Sequence, residues 1–251
     1  ALATIAGKAP HNHGIFLGGV TTNFDIDMYS IVKAILHDLS LFVTDVMIPD
    51  VALLMEYYPE YLKWGRGNGN YMSYGYFDFL PELFWVTKPG ILLDGVFSEV
   101  NPDRITESIR YSWLKAEQDL SRPLDAPPTL DFAKPGAYSW VEAPRYAGRA
   151  VETGPLAGLI VSGDYSGDTG ALGRVMARAL FTRMVCEKVG PMLEYVRMQP
   201  GYQAEWKVPE SGEGHALIGA MRGGLGHWIR IENQKIGRYT ILPPSNWNMS
   251  P

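Results

Sequence analysis

Gly212-Glu213-Gly214-His215-Ala216-Leu217-Ile218-Gly219-Ala220-Met221-Arg222-Gly223-Gly224-Leu225-Gly226-His227-Trp228 is the densest run of signals in this chain. Five glycines between Gly212 and Gly224 give a backbone able to approach something closely. Arg222 sits among small and apolar residues, so little nearby in sequence competes for its guanidinium. Beyond it the residues alternate: Trp228-Ile229-Arg230-Ile231-Glu232, then Asn233-Gln234, then Lys235-Ile236-Gly237-Arg238-Tyr239-Thr240-Ile241-Leu242. Alternation on both sides of a short polar turn predicts a β-hairpin. The hairpin leads into Pro243-Pro244-Ser245-Asn246-Trp247. The expectation is a glycine-rich loop carrying one arginine, held on a rigid ribbon.

The 251 residues suffice for one large domain or two small ones, and 46% hydrophobic content with a mean hydropathy near zero is globular. A net charge of -5 with dispersed basic residues gives no electrostatic case for nucleic acid. No apolar run of about 18 residues exists, so no spanning helix is expected, and no signal-peptide pattern is visible. Ala1-Leu2-Ala3 at one end and Met249-Ser250-Pro251 at the other read as cuts inside a longer sequence. The one cysteine, Cys186, excludes an internal disulfide and any thiolate-cluster metal site made from this chain alone.

Residues 1–23 form a loop-rich opening with Pro10-His11-Asn12-His13 and Gly18-Gly19-Val20. Met28, Ile31, Val32, Ile35, Leu36, Leu39, Phe42, Val43 and Val46 recur at helical spacing, with Asn23 or Asp25 as the cap. Pro49 is expected to end or kink that helix, and a second helical piece runs from about Asp50 to Trp64. After the breaker Gly65-Arg66-Gly67-Asn68-Gly69-Asn70, Tyr71 to Phe77 reads as a strand. Ile91 to Phe97 is expected to be a further strand, Thr106 to Ala116 a short helix, and Ser121 to Pro135 a surface loop. Asp168-Thr169 can cap a long helix to about Met198, with Leu172, Val175, Met176, Ala179 and Cys186 on one stripe. No repeat or low-complexity segment is present.

At this point a resemblance becomes specific. Arg222-Gly-x-Leu-Gly-His-Trp-Ile, Lys235-Ile-x-x-Tyr and Pro244-Ser-x-Trp-Asn resemble blocks of the large subunit of [NiFe] hydrogenases. Three more blocks stand in the family's order. These are Pro10-His11 with Gly18-Gly19-Val20, Gly69-Asn70-Tyr71 with Ser73-Tyr74-Gly75, and Tyr138-Ser-Trp-x-x-Ala-Pro-Arg-Tyr146 with Glu152-x-Gly-Pro-Leu-Ala. The family commonly has Pro before the arginine, whereas this chain has Met221, which bears on the subgroup and on the shape of the pocket wall. The family's two Cys-x-x-Cys motifs, which supply four thiolates to nickel and iron, are absent from this sequence.

The resemblance implies a mainly α fold with small β elements, an α+β chain forming a single partial domain over 1–251 of a longer large subunit. It implies reversible heterolytic oxidation of H2, in the uptake direction, with electrons passed to an iron–sulfur small subunit in a heterodimer. It implies a Ni-Fe(CN)2(CO) centre and a structural Mg2+ in the full-length protein, this fragment alone being inactive. Any membrane attachment would come through partner subunits, and the compartment stays open between cell envelope and cytoplasm. By resemblance, Arg222 is the catalytic cation over the open side of the metals. Ala220, Met221, Leu225, Pro243, Pro244 and Ser245 wall the cyanide and carbonyl ligands. Ile241 offers a backbone carbonyl to Mg2+. His11 lies near the small subunit's proximal cluster.

Each assignment has a plainer alternative. Arg222 can cap carbonyls in a turn, and the pocket residues can be ordinary loop and core. His11 and His13 can be loop histidines, His227 a packed residue beside Trp228, and Cys186 a small buried hydrophobe. Glu142-Ala143-Pro144-Arg145 has the letters usual around the family's arginine, but its context assigns Arg145 no catalytic role. Nothing in the sequence brings Glu142 and Glu152 together. Gly167-Asp168-Thr169-Gly170 lacks the Gly-Lys-Ser/Thr of a phosphate loop. Two other functions fit the same fold: a hydrogen-sensing regulatory subunit, and a metal-free relative of the quinone-site subunit of respiratory complex I. The Arg222 to Trp228 block argues against the metal-free reading.

Overall fold

A computed structural model of the chain describes residues 14–16, 19, 20, 22, 24–195, 205 and 207–249. His11, His13 and Asn23 therefore lie outside the described residues. The fold is α+β, as expected, and divides into two compact units: residues 1–57 with 179–208, and residues 58–178 with 209–251. Among the described residues no helix is long and apolar enough to cross a membrane.

In the first unit a small antiparallel pair, β1 (Ile15–Phe16) and β2 (Gly19–Val20), precedes helix α1 (Ile26–Phe42). Asp25 is the N-cap of α1: its carboxylate accepts the Met28 N–H at 2.9 Å. Pro49 neither ends nor breaks the helical run. The backbone widens into a π segment, Val43–Met47, and then resumes as α2 (Ile48–Tyr57). Proline has no N–H and clashes with the carbonyl four residues back, and a π turn opens the helix where that carbonyl sits. The helical piece expected to reach Trp64 stops at Tyr57, followed by a 3-10 turn at Pro59–Leu62.

The second unit is built on β3 (Tyr71–Tyr76), buried along its whole length. It pairs antiparallel with β4 (Thr87–Leu93), which pairs with β5 (Val96–Ser98). The single strand expected over Ile91–Phe97 is thus a hairpin, turning at Asp94-Gly95 with both residues at positive φ (51° and 81°). The helix expected over Thr106–Ala116 is absent. Instead β6 (Ile105–Ser108) pairs with β7 (Ala143–Tyr146), and alternate residues Ile105 and Glu107 are buried. The bends after β6 are held by distant groups: Asp119 accepts the Ile109 N–H at 2.7 Å, and Lys134 donates to the Ile109 and Leu114 carbonyls. Short-range periodicity carries no trace of these partners.

Helix α3 (Pro155–Ser162) packs on β3 and β4, and the long helix α4 spans Ala171–Leu193. The glycine-rich stretch is not a loop. Ser211–Ala220 is strand β8 and Gly223–Glu232 is strand β9, joined by the two-residue turn Met221-Arg222. The expected hairpin of β9 with β10 (Lys235–Leu242) is present, so the result is a three-stranded sheet. Its second turn, Asn233-Gln234, has both residues at positive φ (53° and 58°), the signature of a tight hairpin that suits Asn. A short helix α5 (Pro244–Asn248) follows.

The glycines of β8 and β9 do approach something closely, and it is protein. A Cβ on Gly219 would run into the Gly75 carbonyl and the Tyr76 ring, and one on Gly224 would lie 2.8 Å from the Tyr74 ring. The sheet therefore lies directly against β3. Met72, Tyr74, Ile91, Ile105, Tyr146, Trp228, Leu242 and Trp247 form the shared core. Gly219→Ala is expected to destabilise the protein by about 3 kcal/mol through overpacking. Gly212→Ala, where nothing lies within 4 Å, should stay within about 0.5 kcal/mol. Equal denaturation midpoints for the two variants would contradict the close-contact account.

Candidate functional site

Among the clefts that flank the C-terminal sheet within the second unit, two hold sequence-predicted site residues. The first holds about 440 Å3 and takes its lining from the 65–68 loop, residues 150–156, helix α4, the Arg222 turn and α5. Residues 150–153 run beside the start of β3: the Glu152 N–H donates to the Asn70 carbonyl, and the Glu152 carbonyl accepts the Met72 N–H, both at 2.9 Å. Arg174 grips the Glu152 carboxylate with two N–H donors, at 2.8 and 2.7 Å, and also donates to the Gly65 carbonyl. The pair is mostly buried, and the hydrogen bonds that Arg174 donates to Glu152 hold its pKa above the ordinary value.

Three arginines, Arg174, Arg178 and Arg222, face this cleft against one carboxylate, Glu152, so it is net cationic. Arg222 is exposed, and its guanidinium contacts the Met221 sulfur at 3.7 Å. Among the described residues no ion pair involves it. Its place is set by the backbone. The Tyr76 hydroxyl donates to the Ala220 carbonyl at 2.6 Å, and the Asn248 amide donates to the Arg222 carbonyl at 3.2 Å. Two lining residues, Thr153 and Trp247, are 4% and 3% exposed, and their Oγ1 and Nε1 have no hydrogen-bond partner. A cationic cleft suits an occupant rich in acceptors.

The second cleft, about 480 Å3, is lined by Glu107, Glu142, Arg238, Ile241 and Asn246 among others. Glu107 is 4% exposed, and burial, with a smaller contribution from Glu142, pushes its carboxyl up to about 8 against the opposing pull of Arg238. Burial raises Glu142 as well, again opposed by Arg238. The Arg238 Nε is buried without a partner.

The predicted site residues are only partly gathered. Arg222 lines the first cleft and Ile241 the second. Ala220 and Met221 precede Arg222, and Met221 is 81% exposed. Leu225 is half-buried opposite Ile218 on β8. Pro243 caps α5, Pro244 is buried and Ser245 is exposed. The histidines exchange parts: His215 stacks on Trp228 with ring centroids 6.5 Å apart, while His227 bonds the Tyr239 hydroxyl at 2.7 Å. Neighbouring strand residues point to opposite faces, so adjacency to Trp228 cannot give contact. Arg145 lies on β7 and donates to the Pro144 carbonyl at 2.8 Å. Glu142 and Glu152 stand in different clefts. Cys186 is buried, and burial raises its thiol pKa. Thr153, Asn248, Arg174 and Glu107 had no assignment, although the alternation of Ile105 with Glu107 was a readable signal.

The model of a family described as nickel-dependent hydrogenase matches residues 1–169 and 164–251. The chain belongs to the nickel-dependent hydrogenase family. Over 100% of its length it is 28% identical to the periplasmic [NiFeSe] hydrogenase large subunit of Desulfomicrobium baculatum, covering 54% of that protein. It is likewise 28% identical to the hydrogenase-2 large chain of Escherichia coli, again covering 54%. The uptake hydrogenase large subunit of Bradyrhizobium diazoefficiens is 27% identical over 98% of this chain. The reduced, active Ni-Fe-Se hydrogenase structure from D. baculatum superposes with a TM-score of 0.89 at 25% identity, covering 100% of this chain and 57% of that one. The chain thus spans about half the length of the curated relatives it matches.

Glu107 gives a pH prediction. Its carboxyl titrates near 4.5 unfolded and near 8 folded, so the folded chain keeps a proton that the unfolded chain releases. Stability from this group is full below pH 4.5 and lost as pH rises towards about 8. Glu107→Gln should flatten that decline and gain on the order of 2 kcal/mol at the alkaline end. Identical melting-against-pH curves for both proteins would refute a buried neutral Glu107.

Proposed function

We propose that this chain is part of the catalytic large subunit of a [NiFe] hydrogenase that oxidises H2 to protons and electrons and hands the electrons to an iron–sulfur small subunit. One observation carries the reading beyond family membership: Arg222, without an ion pair among the described residues, sits on a backbone-anchored turn at the edge of a cationic cleft. An uptake hydrogenase among the relatives supports the direction.

The chain's own donors do not ligate such a centre. It has one cysteine, buried in α4, and no cluster of three or more metal-ligating side chains among the described residues. On the family resemblance the thiolates belong to Cys-x-x-Cys motifs that this sequence does not contain. What these residues fit is the wall around a metal centre. The chemistry such a centre supplies is Lewis-acid polarisation of H2 for heterolytic cleavage.

Arg222 offers a planar fork of N–H donors and a positive charge. Arg222, Arg174 and Arg178 make the lining cationic, a setting that suits anionic ligands such as cyanide. Met221 is in the turn, Ala220 and Leu225 lie on the strands it joins, and Pro243, Pro244 and Ser245 form the start of α5, whose last residue Asn248 holds the turn. The Ile241 carbonyl is a hard oxygen donor of the kind Mg2+ takes, with a structural role.

Arg222→Lys in the full-length enzyme should lower H2 turnover per nickel about a hundredfold, the equivalent of about 3 kcal/mol, with metal loading retained. Lysine keeps the charge and loses the planar fork. Turnover is read against nickel content and the infrared bands of the iron's CO and CN⁻ ligands. Wild-type turnover with normal bands would make Arg222 structural, and loss of the bands would make it an assembly residue. Either result removes the catalytic assignment.

A further inference from the structure

The Arg222 turn reaches out from its sheet. Met221 is 81% exposed and Arg222 is exposed, so side-chain packing does little to hold either. Beyond the last strand pair, Ala220 with Gly223, the turn depends on what grips its backbone.

Asn248, the last residue of α5, does so with both ends of its amide. Its Oδ1 accepts the Thr153 N–H at 2.9 Å, and its Nδ2 donates to the Arg222 carbonyl at 3.2 Å. Only this orientation of the amide satisfies both partners, because a backbone N–H needs an acceptor and a carbonyl needs a donor. The geometry around it is tight. A Cβ on Gly154 would lie 3.0 Å from the Arg222 carbonyl, and one on Gly223 would meet the Thr153 hydroxyl and lie 3.1 Å from the Gly154 nitrogen. Three segments far apart in sequence thus meet with almost no side chain between them. The helix presenting Asn248 is itself fixed, since Pro244 and Trp247 are buried. All three segments line the cleft that Arg222 faces.

From this we infer that Asn248 is a positioning residue for Arg222, acting through the Arg222 carbonyl rather than on any reacting group. The inference rests on the proposed role of Arg222 and adds the device that aims it. An amide is the required chemistry. Aspartate would keep the acceptor for Thr153 and set a carboxylate against the Arg222 carbonyl, and alanine would lose both bonds. Misplacement of a positioned group by about 1 Å is enough to cost a large factor in rate.

The test is a double-mutant cycle in the full-length enzyme, with hydrogen exchange as a readout independent of activity. Asn248→Ala and Asn248→Asp should each speed amide exchange in the 221–223 turn about tenfold, while Arg222→Lys leaves it unchanged. Each should lower turnover per nickel about tenfold in the wild-type background and less than about twofold in the Arg222→Lys background. Unchanged turn exchange in Asn248→Asp, or equal losses in both backgrounds, would overturn the positioning role. If Asn248→Ala fails to assemble, Asn248→Asp decides alone, because it keeps the bond to Thr153. Full turnover in Arg222→Lys alone would instead overturn the functional reading of Arg222. The two failures are therefore told apart.

Discussion

The contact on which the rest depends is backbone against backbone. Gly219 and Gly224 let the C-terminal sheet lie on Gly75, Tyr76 and Tyr74 of β3, and Gly154 and Gly223 let the Arg222 turn touch the start of α3. A side chain at any of these places would hold the sheet away. The Tyr76 hydroxyl would then lose the Ala220 carbonyl, and Asn248 would no longer span from Thr153 to Arg222. An exposed arginine is ordinarily the least defined of side chains. Here the Ala220 carbonyl and the Arg222 carbonyl are held by hydrogen bonds at 2.6 and 3.2 Å, so the guanidinium starts from a defined point.

The two clefts that hold Arg222 and Ile241 have opposite character. In the first, Glu152 is committed to Arg174, which leaves the lining cationic and two buried groups, of Thr153 and Trp247, unpaired. In the second, two carboxyls share one arginine, and burial keeps Glu107 protonated through most of the neutral range. On the proposed function, only the first of these settings suits the wall of an acceptor-rich metal centre.

Much of this could be read in the sequence because it is local. The α1 periodicity, the Asp25 cap, the strand at Tyr71–Tyr76 and the hairpin around Asn233-Gln234 follow from spacing and turn chemistry. What escaped is non-local. Gly212 to Gly224 read as a loop because glycine is rare within strands, yet its glycines serve a neighbour more than a hundred residues away in the chain. Thr106 to Ala116 read as a helix because its partners, Ala143–Tyr146, Asp119 and Lys134, are remote. The site divides in the same way. Arg222 stood out by its surroundings and Ile241 by resemblance. Thr153 and Asn248 did not, because a threonine without a partner and an amide bridging two backbones leave no mark on sequence.

The central claim is that the cleft beneath the Arg222 turn is the wall of the metal centre. Anomalous diffraction at the nickel edge from crystals of the full-length enzyme tests it most directly. The account predicts a nickel peak in the cleft bounded by Arg222, Thr153 and Trp247, within contact reach of the Arg222 guanidinium. A nickel peak elsewhere, with this cleft filled by solvent or by protein, would contradict it.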